Sequence, residues 1–576
     1  MDIRNLSPFI SVSPQITPED VGVAASKGFK TIICNRPDNE SEDQINSEAI
    51  RLAAEENGLA FEHLPVLSGQ ITDADVTEFQ SLIKKVQGPI LAYCRTGTRS
   101  CTLWALAEAH FTPPKAILNI AQQAGYDLNG QLSRLEERNQ QPHSTSKRSI
   151  YHSVVIVGGG AGGQAVAASL LKRQPSLDIA IIEPNQAHYY QPGWTLVGGG
   201  VFEREQTKRA MSSVMPKQAT WYQTALSQFI PEQQQVVLEN GDILGYQSLV
   251  VATGLKLDWD AIPGLRESLG KNGVTSNYRF DLAPYTWKLV QSLKSGTALF
   301  TQPPMPIKCA GAPQKAMYLS CDEWHRSDVL KDISVEFCTA GAALFGVKDY
   351  VPALEKYVEK YNISLAFQNK LVKVDGPNQQ ATFEVTDVEG NIKEVVKSFD
   401  MLHVCPPQTA PDVIASSSIA DTAGWVDVSP ETLQHKRYGN IFAVGDVSNS
   451  PNAKTAAAVR KQAPVVAENI ISTLAGSPPT AVYEGYGSCP LTVERGKIVL
   501  AEFGYGGKLQ PTLPQWLVNG TQPSRLAWFL KEKMLPWIYW DLMLKGKEWL
   551  AAPKHLTHKP EPQSAPEACD FKEKKK

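Results

Sequence analysis

A glycine-rich segment is the first part of this sequence that could bind a ligand. Residues 158–163 read GGGAGG, follow the apolar run 154–157 and precede an apolar helical pattern over 164–171. In the G-x-G-x-x-G pattern the glycines permit a tight turn and let backbone N–H groups approach a pyrophosphate at the start of a helix. Glu183 ends the next apolar run and could accept hydrogen bonds from an adenosine ribose. Because all four parts are present, we expect a dinucleotide site rather than an empty turn. The predicted binding residues are Gly158, Gly160, Gly163 and Glu183.

A second segment with chemical potential is the loop 93–100, which reads YCRTGTRS. It follows an apolar strand and opens a predicted helix over 101–110. Backbone N–H groups at a helix N-terminus hold an anion and lower a thiol pKa, and Arg95 and Arg99 add positive charge near Cys94. Protein-tyrosine-type phosphatases and rhodanese-type sulfurtransferases both use such a loop. The spacing from Cys94 to Arg99 is one residue shorter than the usual phosphatase pattern, which favours the rhodanese interpretation.

Both interpretations of this loop stay open. A phosphatase needs a general acid, and Asp73 and Asp75 are the candidates, although Thr72 and Asp75 also fit a helix-capping pair. The rest of this region resembles a bacterial phosphatase-like family that is often fused to sulfur-oxidising enzymes. An inactive docking module is a third possibility.

The elements that must position these loops alternate between strand and helix. Strands are predicted at 32–34, 62–66 and 90–93, with helices at 45–57 and 73–86, a pattern typical of a parallel sheet. We divide the chain on composition and pattern. The predicted units are a cysteine-loop domain at 1–138, a polar linker at 139–150, an oxidoreductase at 151–510, an amphipathic segment at 511–552 and a disordered tail at 553–576.

Two later strand-and-turn segments extend the dinucleotide signature. The apolar run 249–254 ends in Thr253 and Gly254, and the run 440–446 ends in Gly445 and Asp446. Together with the glycine loop, this trio resembles the flavoproteins that have two dinucleotide-binding, Rossmann-like domains. The resemblance implies FAD as the cofactor, with Asp446 bonded to its ribityl chain.

A second glycine fingerprint, which would bind a nicotinamide, is missing. At its expected place, 333–346, a strand is followed by Gly341 and Gly346 only, and larger side chains would obstruct a pyrophosphate. We therefore expect an electron donor other than NAD(P)H, and an NADH:quinone oxidoreductase is kept as the alternative.

Several longer segments resemble the sulfide:quinone oxidoreductase family, closest to the branch that includes the mitochondrial enzymes. They are HYYQPGWTLVG at 188–198, KCAGAPQK at 308–315, KTAAAV at 454–459 and SCPL at 488–491, and the resemblance covers residues 150 to 550. It implies that Cys309 and Cys489 form a redox pair, that sulfide is oxidised to sulfane sulfur, and that a membrane quinone is the electron acceptor. Hydrosulfide would attack the pair, leave a persulfide on one cysteine, and free a thiolate that reduces the flavin.

The resemblance also implies roles for other residues. Cys489 is expected to be the thiolate that reacts with the flavin. Lys315 and Lys531 match positive positions near the quinone and the sulfur path, and Lys454 lies in a cofactor-binding segment. Cys321, Cys338 and Cys405 are expected to be buried thiols without a catalytic role.

The C-terminal segment 526–545 is apolar but interrupted by charges. It holds or adjoins a cluster of tryptophans: Trp516, Trp528, Trp537, Trp540 and Trp549. Lys531, Lys533, Asp541 and Lys545 prevent it from spanning a bilayer, and Pro536 is expected to divide it into two short helices. This pattern favours helices lying at a membrane interface, with packing on a core or partner as the alternative.

Composition narrows the function class. Lys and Arg number 56 against 59 Asp and Glu, a net charge of −3, which disfavours nucleic-acid binding. Nine cysteines are too few for a disulfide scaffold, and we expect neither a metal site nor a secretory signal at the start.

We therefore predict an α/β protein in which a phosphatase-like domain is fused to a two-Rossmann-domain flavoenzyme, peripheral on the cytoplasmic side of a membrane. It would oxidise sulfide, reduce quinone, and pass sulfane sulfur to glutathione, sulfite or Cys94. Sulfur transfer at Cys94 is favoured over phosphatase activity because the fused enzyme makes sulfane sulfur.

Overall fold

The structure is a computed structural model that describes residues 1–556 except 8–9, 87, 110–111, 113 and 141–148. The strands are β1 Arg4–Asn5, β2 Ile10–Ser13, β3 Thr31–Cys34, β4 Ala60–His63, β5 Ile90–Tyr93, β6 Ser149–Val157, β7 Ile179–Ile182, β8 Ala187–Tyr189, β9 Lys208–Ala210, β10 Thr220–Tyr222, β11 Leu226–Ile230, β12 Gln235–Leu238, β13 Ile243–Val251, β14 Lys256–Leu257, β15 Val274–Thr275, β16 Gly296–Gln302, β17 Ile333–Thr339, β18 Ser364–Ala366, β19 Asn369–Asp375, β20 Gln380–Thr386, β21 Ile392–Ser398, β22 Met401–Val404, β23 Gln408–Thr409, β24 Ile441–Ala443, β25 Ala481–Val482, β26 Gly487–Glu494, β27 Lys497–Phe503 and β28 Lys554–His555.

The helices are α1 Pro18–Ser26, α2 Ser47–Glu56, α3 Asp73–Lys85, α4 Thr98–Glu108, α5 Pro114–Gln123, α6 Leu132–Gln140, α7 Ala161–Arg173, α8 Trp194–Gly198, α9 Met211–Val214, α10 Leu265–Ser268, α11 Ala283–Ser292, α12 Ala312–Arg326, α13 Val351–Lys360, α14 Asp412–Ala415, α15 Ala456–Leu474, α16 Arg525–Phe529 and α17 Leu535–Trp537.

The N-terminal domain is built on a sheet of order β1-β2-β5-β3-β4, in which only β1 is antiparallel to its neighbour. Strands β2, β3 and β5 are buried along their whole length, as expected for a parallel sheet covered by helices on both faces. β5 sits centrally, so its carboxyl end, where Cys94 lies, opens between two neighbouring strands. The predicted alternation of strand and helix is confirmed, although β4 lies slightly earlier in the chain than predicted.

The predicted oxidoreductase unit, 151–510, contains a second sheet of order β10-β7-β6-β13-β12-β11, with β24 paired to β13. Strands β7, β6, β13 and β24 run parallel, and their apolar side chains form the largest core with helices α7 and α15. The glycine loop follows β6, while the other two predicted turns follow β13 and β24. Since the carboxyl ends of parallel strands share one edge, three distant segments of sequence meet there.

A third sheet, of order β15-β22-β16-β17-β18, is parallel throughout. Helix α12 packs between this sheet and the hairpin β26–β27. The loop after β16 carries Cys309, and β26 carries Cys489. No α-helix follows β17 directly, and the next one, α13, begins at Val351. That turn therefore lacks the helix N-terminus on which a nicotinamide dinucleotide would bind.

The C-terminal segment differs from the prediction of two helices divided at Pro536. Residues 525–545 form one continuous helical run, in which π-helical turns at Leu530–Met534 and Ile538–Leu542 flank α17. Proline lacks an N–H and its ring crowds the preceding turn, and wider turns on both sides relieve that conflict without breaking the helix.

The predicted tail and linker are only partly described by the structure. The strand β28 pairs with β25, so the first residues of the predicted disordered tail are ordered by sheet pairing. The rest of that tail, 557–576, and most of the predicted linker, 141–148, lie outside the described residues. Among the residues that are described, no helix is long and apolar enough to cross a membrane.

Candidate active site

The glycine loop is shaped by close contacts that side chains would not permit. Gly158 has a φ of +102°, and a Cβ there would lie 2.5 Å from the carbonyl oxygen of Ala252. A Cβ on Gly163 would lie 1.9 Å from the carbonyl oxygen of Gly158, so that glycine lets α7 start against β6. By contrast, a Cβ on Gly160 would meet open space. The loop is therefore tight on its protein side and open on the other.

Glu183 lies at the carboxyl end of β7, beside this loop. Its carboxylate accepts hydrogen bonds from the N–H of Gly159 at 2.9 Å and from the N–H of Asn185 at 2.8 Å. These bonds hold the carboxylate at the position that the ribose-binding acid occupies in a dinucleotide fold.

A cavity of about 560 Å³ joins the loop to the predicted turns after β13 and β24. The hydroxyl of Thr253 faces it and is buried without a hydrogen-bond partner among the described residues. The N-terminus of α15 also opens onto it, through Ala456 and Ala457. An open glycine loop, an unpartnered hydroxyl and a helix N-terminus suit a ligand with phosphates and many polar groups, and FAD is such a ligand. The residues that would hold it are Gly158, Gly160, Gly163, Glu183, Thr253, Gly254, Gly445 and Asp446.

Lys454 supports the turn after β24 from within. Its ammonium donates to the carbonyl oxygens of Asp446 at 2.7 Å and Ser448 at 2.8 Å, and it stacks 4.3 Å from the ring centre of Trp425. Burial lowers the pKa of Lys454 to about 8. This lysine therefore orients the backbone around Asp446.

Cys309 and Cys489 are brought together although 180 residues separate them in the chain. Their sulfur atoms lie 3.9 Å apart and both are free thiols. The contact depends on Gly311, because a Cβ there would lie 2.5 Å from the Cys489 sulfur. A sulfur–sulfur bond needs only a small approach from this distance, and a bridging sulfur atom could also be accommodated.

Lys315 distinguishes the two sulfurs. Lys315 is only 2% exposed, and its ammonium lies 3.0 Å from the sulfur of Cys309. A hydrogen bond from Cys489 and the charge of Lys315 lower the pKa of Cys309 well below its usual value, despite burial. The interaction with Cys309 and burial raise the pKa of Cys489. Cys309 also lines the cofactor cavity. Of the two sulfurs, that of Cys309 is therefore the one in contact with the ammonium and next to the cavity, whereas the sequence led us to expect the reacting thiolate on Cys489.

Cys309 has a backbone conformation that is unusual for its residue type. Its φ is +48°, in the left-handed region, which costs roughly 1–2 kcal/mol for a residue other than glycine. Its N–H donates to the carbonyl of Lys454 at 2.9 Å, and its carbonyl accepts from the N–H of Ala312 at 2.7 Å. Strained residues of this kind concentrate at functional sites, where surrounding contacts hold them.

Lys531 reaches the same cavity from the C-terminal helical run. It is 3% exposed, and its ammonium donates to the carbonyl of Pro192 at 3.0 Å. Burial, followed by repulsion from Lys315, lowers the pKa of Lys531 to about 7. Its charge therefore changes near neutral pH.

The sequence did not indicate how the C-terminal helical run contacts the glycine loop. The His188 ring contacts the Tyr539 hydroxyl at 2.7 Å and the carbonyl of Gly159 at 3.3 Å. Tyr190 and Trp540 pack around this bridge. His188 and Tyr190 were part of the segment that carried the family resemblance, but nothing in the sequence indicated their partners on a helix 351 residues away.

In the N-terminal domain, Cys94 lies buried at the carboxyl end of β5. The N–H of Gly97 donates to its sulfur at 3.2 Å, and α4 begins at the next residue. Gly97 has a φ of +88°, and a Cβ there would lie 2.0 Å from the Tyr126 hydroxyl oxygen. The loop is therefore a fixed cradle at a helix N-terminus, as its sequence indicates.

The charged groups around that cradle are largely committed to other partners. The Arg99 guanidinium donates to Glu40 at 2.8 Å and to the carbonyl of Val66 at 2.7 Å. Asp73 accepts from Arg134 and Arg138, while Asp75 caps α3 through Thr72. Both candidate general acids therefore have structural roles.

Three further cysteines have the burial expected of non-catalytic thiols. Burial raises the pKa of Cys405 and of Cys338 to about 12 each, and it raises that of Cys321 as well. Such thiols stay protonated and unreactive at neutral pH.

The paired Rossmann-like sheets and the dinucleotide loop beside one large cavity define an FAD-dependent oxidoreductase. Family models match two parts of the chain. Residues 2–111 match the phosphatase-like domain of beta-lactamase hydrolase-like proteins, and residues 152–301 match the pyridine nucleotide-disulphide oxidoreductases.

Curated relatives narrow the class. The chain is 43% identical over 373 residues to the mitochondrial sulfide:quinone oxidoreductase of Dictyostelium discoideum, covering 64% of this chain and 80% of that protein. It is 38% identical over 381 residues to the enzyme of Mus musculus, covering 66% and 84%. A solved structure of the Aquifex aeolicus enzyme shares the fold, with a TM-score of 0.59, 20% identity, and coverage of 73% of this chain and 100% of that one.

The chain belongs to the sulfide:quinone oxidoreductase family, as its segments at 188–198, 308–315 and 488–491 predicted. FAD is accordingly its cofactor, with quinone as the electron acceptor, and both of these expectations are confirmed. Its N-terminal part is similar to a different group of proteins. The chain is 35% identical over 108 residues to a beta-lactamase hydrolase-like protein of Xylella fastidiosa, covering 19% of this chain and 25% of that protein.

Proposed function

We propose that the protein oxidises sulfide at the Cys309–Cys489 pair and that Cys309 is the thiolate that delivers electrons to the cofactor. The observation that carries this proposal is the contact of 3.0 Å between the Lys315 ammonium and the Cys309 sulfur, on the side of the pair that lines the cavity.

The sulfur chemistry follows from which thiolate is the better leaving group. Hydrosulfide attacks the Cys489 sulfur of the oxidised pair, an S–S bond forms, and Cys489 becomes a persulfide. The bond to Cys309 breaks, and its electron pair leaves on Cys309, where Lys315 compensates the charge. A thiolate with a lower pKa leaves faster, so the attack is directed to Cys489.

The cysteine pair returns to its oxidised form once two electrons and the sulfane sulfur have left. A bound FAD would supply a two-electron acceptor that a quinone can reoxidise. A nucleophile such as glutathione or sulfite takes the outer sulfur from Cys489 and leaves a thiolate. The Cys489 and Cys309 thiolates then form the S–S bond again as their two electrons pass to the flavin. Lys531, charged below pH 7 and neutral above it, can supply a proton where the quinone is reduced.

The quinone end of the cavity is formed by the C-terminal helical run, through Leu530, Met534, Leu535 and Ile538. The opposite face of the same run carries exposed apolar side chains. Phe529 is 52% exposed and Trp537 is 49% exposed. The residues of this exposed stripe are spaced three or four apart along the helix: Leu526, Phe529, Lys533 and Trp537.

A stripe of three exposed apolar side chains and one lysine suits a membrane interface, where the cavity would open to a quinone dissolved in lipid. Within the segment 526–545 the lysines outside the cavity are paired, since Lys533 pairs with Glu532 at 2.8 Å and Lys545 with Asp541 at 2.7 Å. We therefore infer peripheral membrane binding driven by apolar contact more than by charge.

For the N-terminal domain we infer sulfur transfer through Cys94. Its cradle is short, and both candidate general acids are held by structural partners. A persulfide on Cys94 needs only the donated N–H groups of the loop, whereas phosphate ester hydrolysis also needs a free acid.

Anaerobic absorption spectroscopy tests the main proposal. Sulfide added to the purified protein is expected to bleach the oxidised-flavin band, and a soluble quinone to restore it. Cys309→Ser and Cys489→Ser should both abolish bleaching, while Cys321→Ser, a buried thiol on α12, should bleach normally. Bleaching by NADH with no response to sulfide would overturn the proposal.

Analysis of sulfur products tests the role of Cys94. Cys94→Ser should keep quinone reduction but change the distribution of persulfide and thiosulfate products, whereas Cys101→Ser, also buried in this domain, should change neither. Aryl phosphate hydrolysis that Cys94→Ser abolishes, with unchanged sulfur products, would favour the phosphatase alternative.

A further inference from the structure

The loop that carries Cys309 is bounded by three neighbouring parallel strands. It follows β16, and β16 pairs with β22, which in turn pairs with β15. Each strand is followed at its carboxyl end by a residue that faces this loop. Tyr278 follows β15, and Cys405 and Gln408 follow β22. The sheet topology therefore brings three side chains, from the segments that follow two other strands, against one strained loop.

Two of these side chains bind the backbone of the loop directly. The Tyr278 hydroxyl lies 3.2 Å from the carbonyl oxygen of Lys308 and 3.4 Å from that of Cys309. The side-chain oxygen of Gln408 accepts a hydrogen bond of 2.7 Å from the N–H of Lys308. The peptide groups on both sides of Lys308 are thus fixed by side chains, immediately before the residue with φ of +48°.

Cys405 links the two binding groups. The amide nitrogen of Gln408 donates to its sulfur at 3.7 Å, and the Tyr278 hydroxyl interacts electrostatically with the same sulfur. Cys405 is 1% exposed, and Tyr278 and Gln408 are buried as well. Water does not compete for these bonds, so they hold the loop more firmly than exposed contacts would.

The position of the Cys309 sulfur depends on this support. A residue with positive φ relaxes toward ordinary backbone angles unless its neighbours prevent it. Relaxation of the Cys309 backbone would move its side chain, and the contact of 3.0 Å between its sulfur and the Lys315 ammonium would be lost. Loss of that contact would raise the pKa of the Cys309 thiol and slow its departure as a thiolate.

We propose that Tyr278, Gln408 and Cys405 are positioning residues that hold Cys309 in its left-handed conformation, so that its sulfur stays on the Lys315 ammonium. Cys405 acts as a hydrogen-bonding bridge and not as a third redox thiol. Its burial raises its pKa to about 12, in keeping with an unreactive thiol. The inference rests on the proposed role of Cys309 as the stabilised thiolate.

The test follows the thiolate itself and not turnover alone. The full-length protein with FAD bound is reduced, and the rate of iodoacetamide labelling of Cys309 is measured by peptide mass spectrometry across pH. Tyr278→Phe and Gln408→Leu are each expected to shift the midpoint of this profile upward and to slow labelling about fivefold at pH values below the midpoint, the effect of one net hydrogen bond. Sulfide-dependent bleaching should slow equally below the midpoint and recover above it.

The matched control is Tyr318→Phe, because Tyr318 is a buried tyrosine whose hydroxyl contacts a backbone carbonyl elsewhere, that of Leu354. It should leave the profile unmoved. Cys405→Ala should shift the profile like the other two variants, and Cys405→Ser, which keeps a hydrogen-bonding group, should restore most of the difference.

Three results would overturn the proposal. One is an unshifted profile in both Tyr278→Phe and Gln408→Leu when each variant retains FAD. Another is an equal shift in Tyr318→Phe. The third is a Cys405→Ser variant as impaired as Cys405→Ala, which would make Cys405 a reacting thiol. Failure of the proposed function is seen separately, as wild-type protein that sulfide does not bleach while the labelling profile behaves as expected.

Discussion

Replacing Lys315 with methionine removes a buried positive charge from the Cys309 sulfur while keeping much of the side-chain volume. The ammonium lies 3.0 Å from the sulfur, with 2% of Lys315 exposed, so solvent scarcely screens the interaction. Without it, a Cys309 thiolate would be left in a low-dielectric site with no neighbouring cation in contact.

The size of the effect can be worked from this contact. A hydrogen bond to a charged group contributes about 1.5–3 kcal/mol. One pKa unit corresponds to about 1.4 kcal/mol of differential stabilisation. The pKa of Cys309 should therefore rise by about one to two units, and its thiolate fraction at a pH below both values should fall about 10- to 100-fold.

The assay is the pH profile of iodoacetamide labelling of Cys309 in the reduced protein, together with stopped-flow bleaching of the flavin by sulfide. Both rates should fall together in Lys315→Met, and the labelling rate should recover as pH rises. Lys315→Arg keeps the positive charge and should lie between wild type and Lys315→Met.

An unshifted midpoint for Cys309 in a folded, FAD-containing Lys315→Met protein would refute the assignment. A midpoint that shifts for Cys489 and not for Cys309 would refute it as well, because the stabilised thiolate would then be the other member of the pair.

Three further predictions follow from the same geometry. Because Lys531 has a pKa lowered to about 7, it carries a positive charge below that pH and loses it above. The rate of quinone reduction should therefore decline as pH rises through 7, and Lys531→Met should be slow and should not show this decline. If the decline persists in that variant, another group causes it. Gly311→Ala places a Cβ 2.5 Å from the Cys489 sulfur, so sulfide oxidation should be lost at a cost of about 1–3 kcal/mol in stability, with the FAD spectrum retained. Phe529→Ser and Trp537→Ser should each weaken flotation on neutral lipid vesicles about tenfold, with little dependence on salt, and a salt-sensitive loss would indicate charge-driven binding instead.

Much of the fold could be predicted from the sequence because its signals are local. The glycine loop, the apolar strand before it and the acid after the next strand occupy one continuous stretch, and periodicity alone shows them. The parallel N-terminal sheet was predictable for the same reason. Pro536 misled the prediction because a proline usually ends a helix, and flanking π-helical turns that absorb it depend on how the segment packs.

The sequence by itself determined which chemistry the chain can do: a dinucleotide loop, two cysteines in recognisable segments, and lysines near them. Only the tertiary structure decided which sulfur the Lys315 ammonium contacts. It lies 3.0 Å from Cys309, and the proposed role of Cys309 rests on that contact, because electrostatic stabilisation depends on distance and burial, neither of which the order of residues contains. The supporting contacts of Tyr278 and Gln408 were invisible for the same reason. They arise where three parallel strands end at one edge, and the strand order that brings them together is a property of the folded sheet.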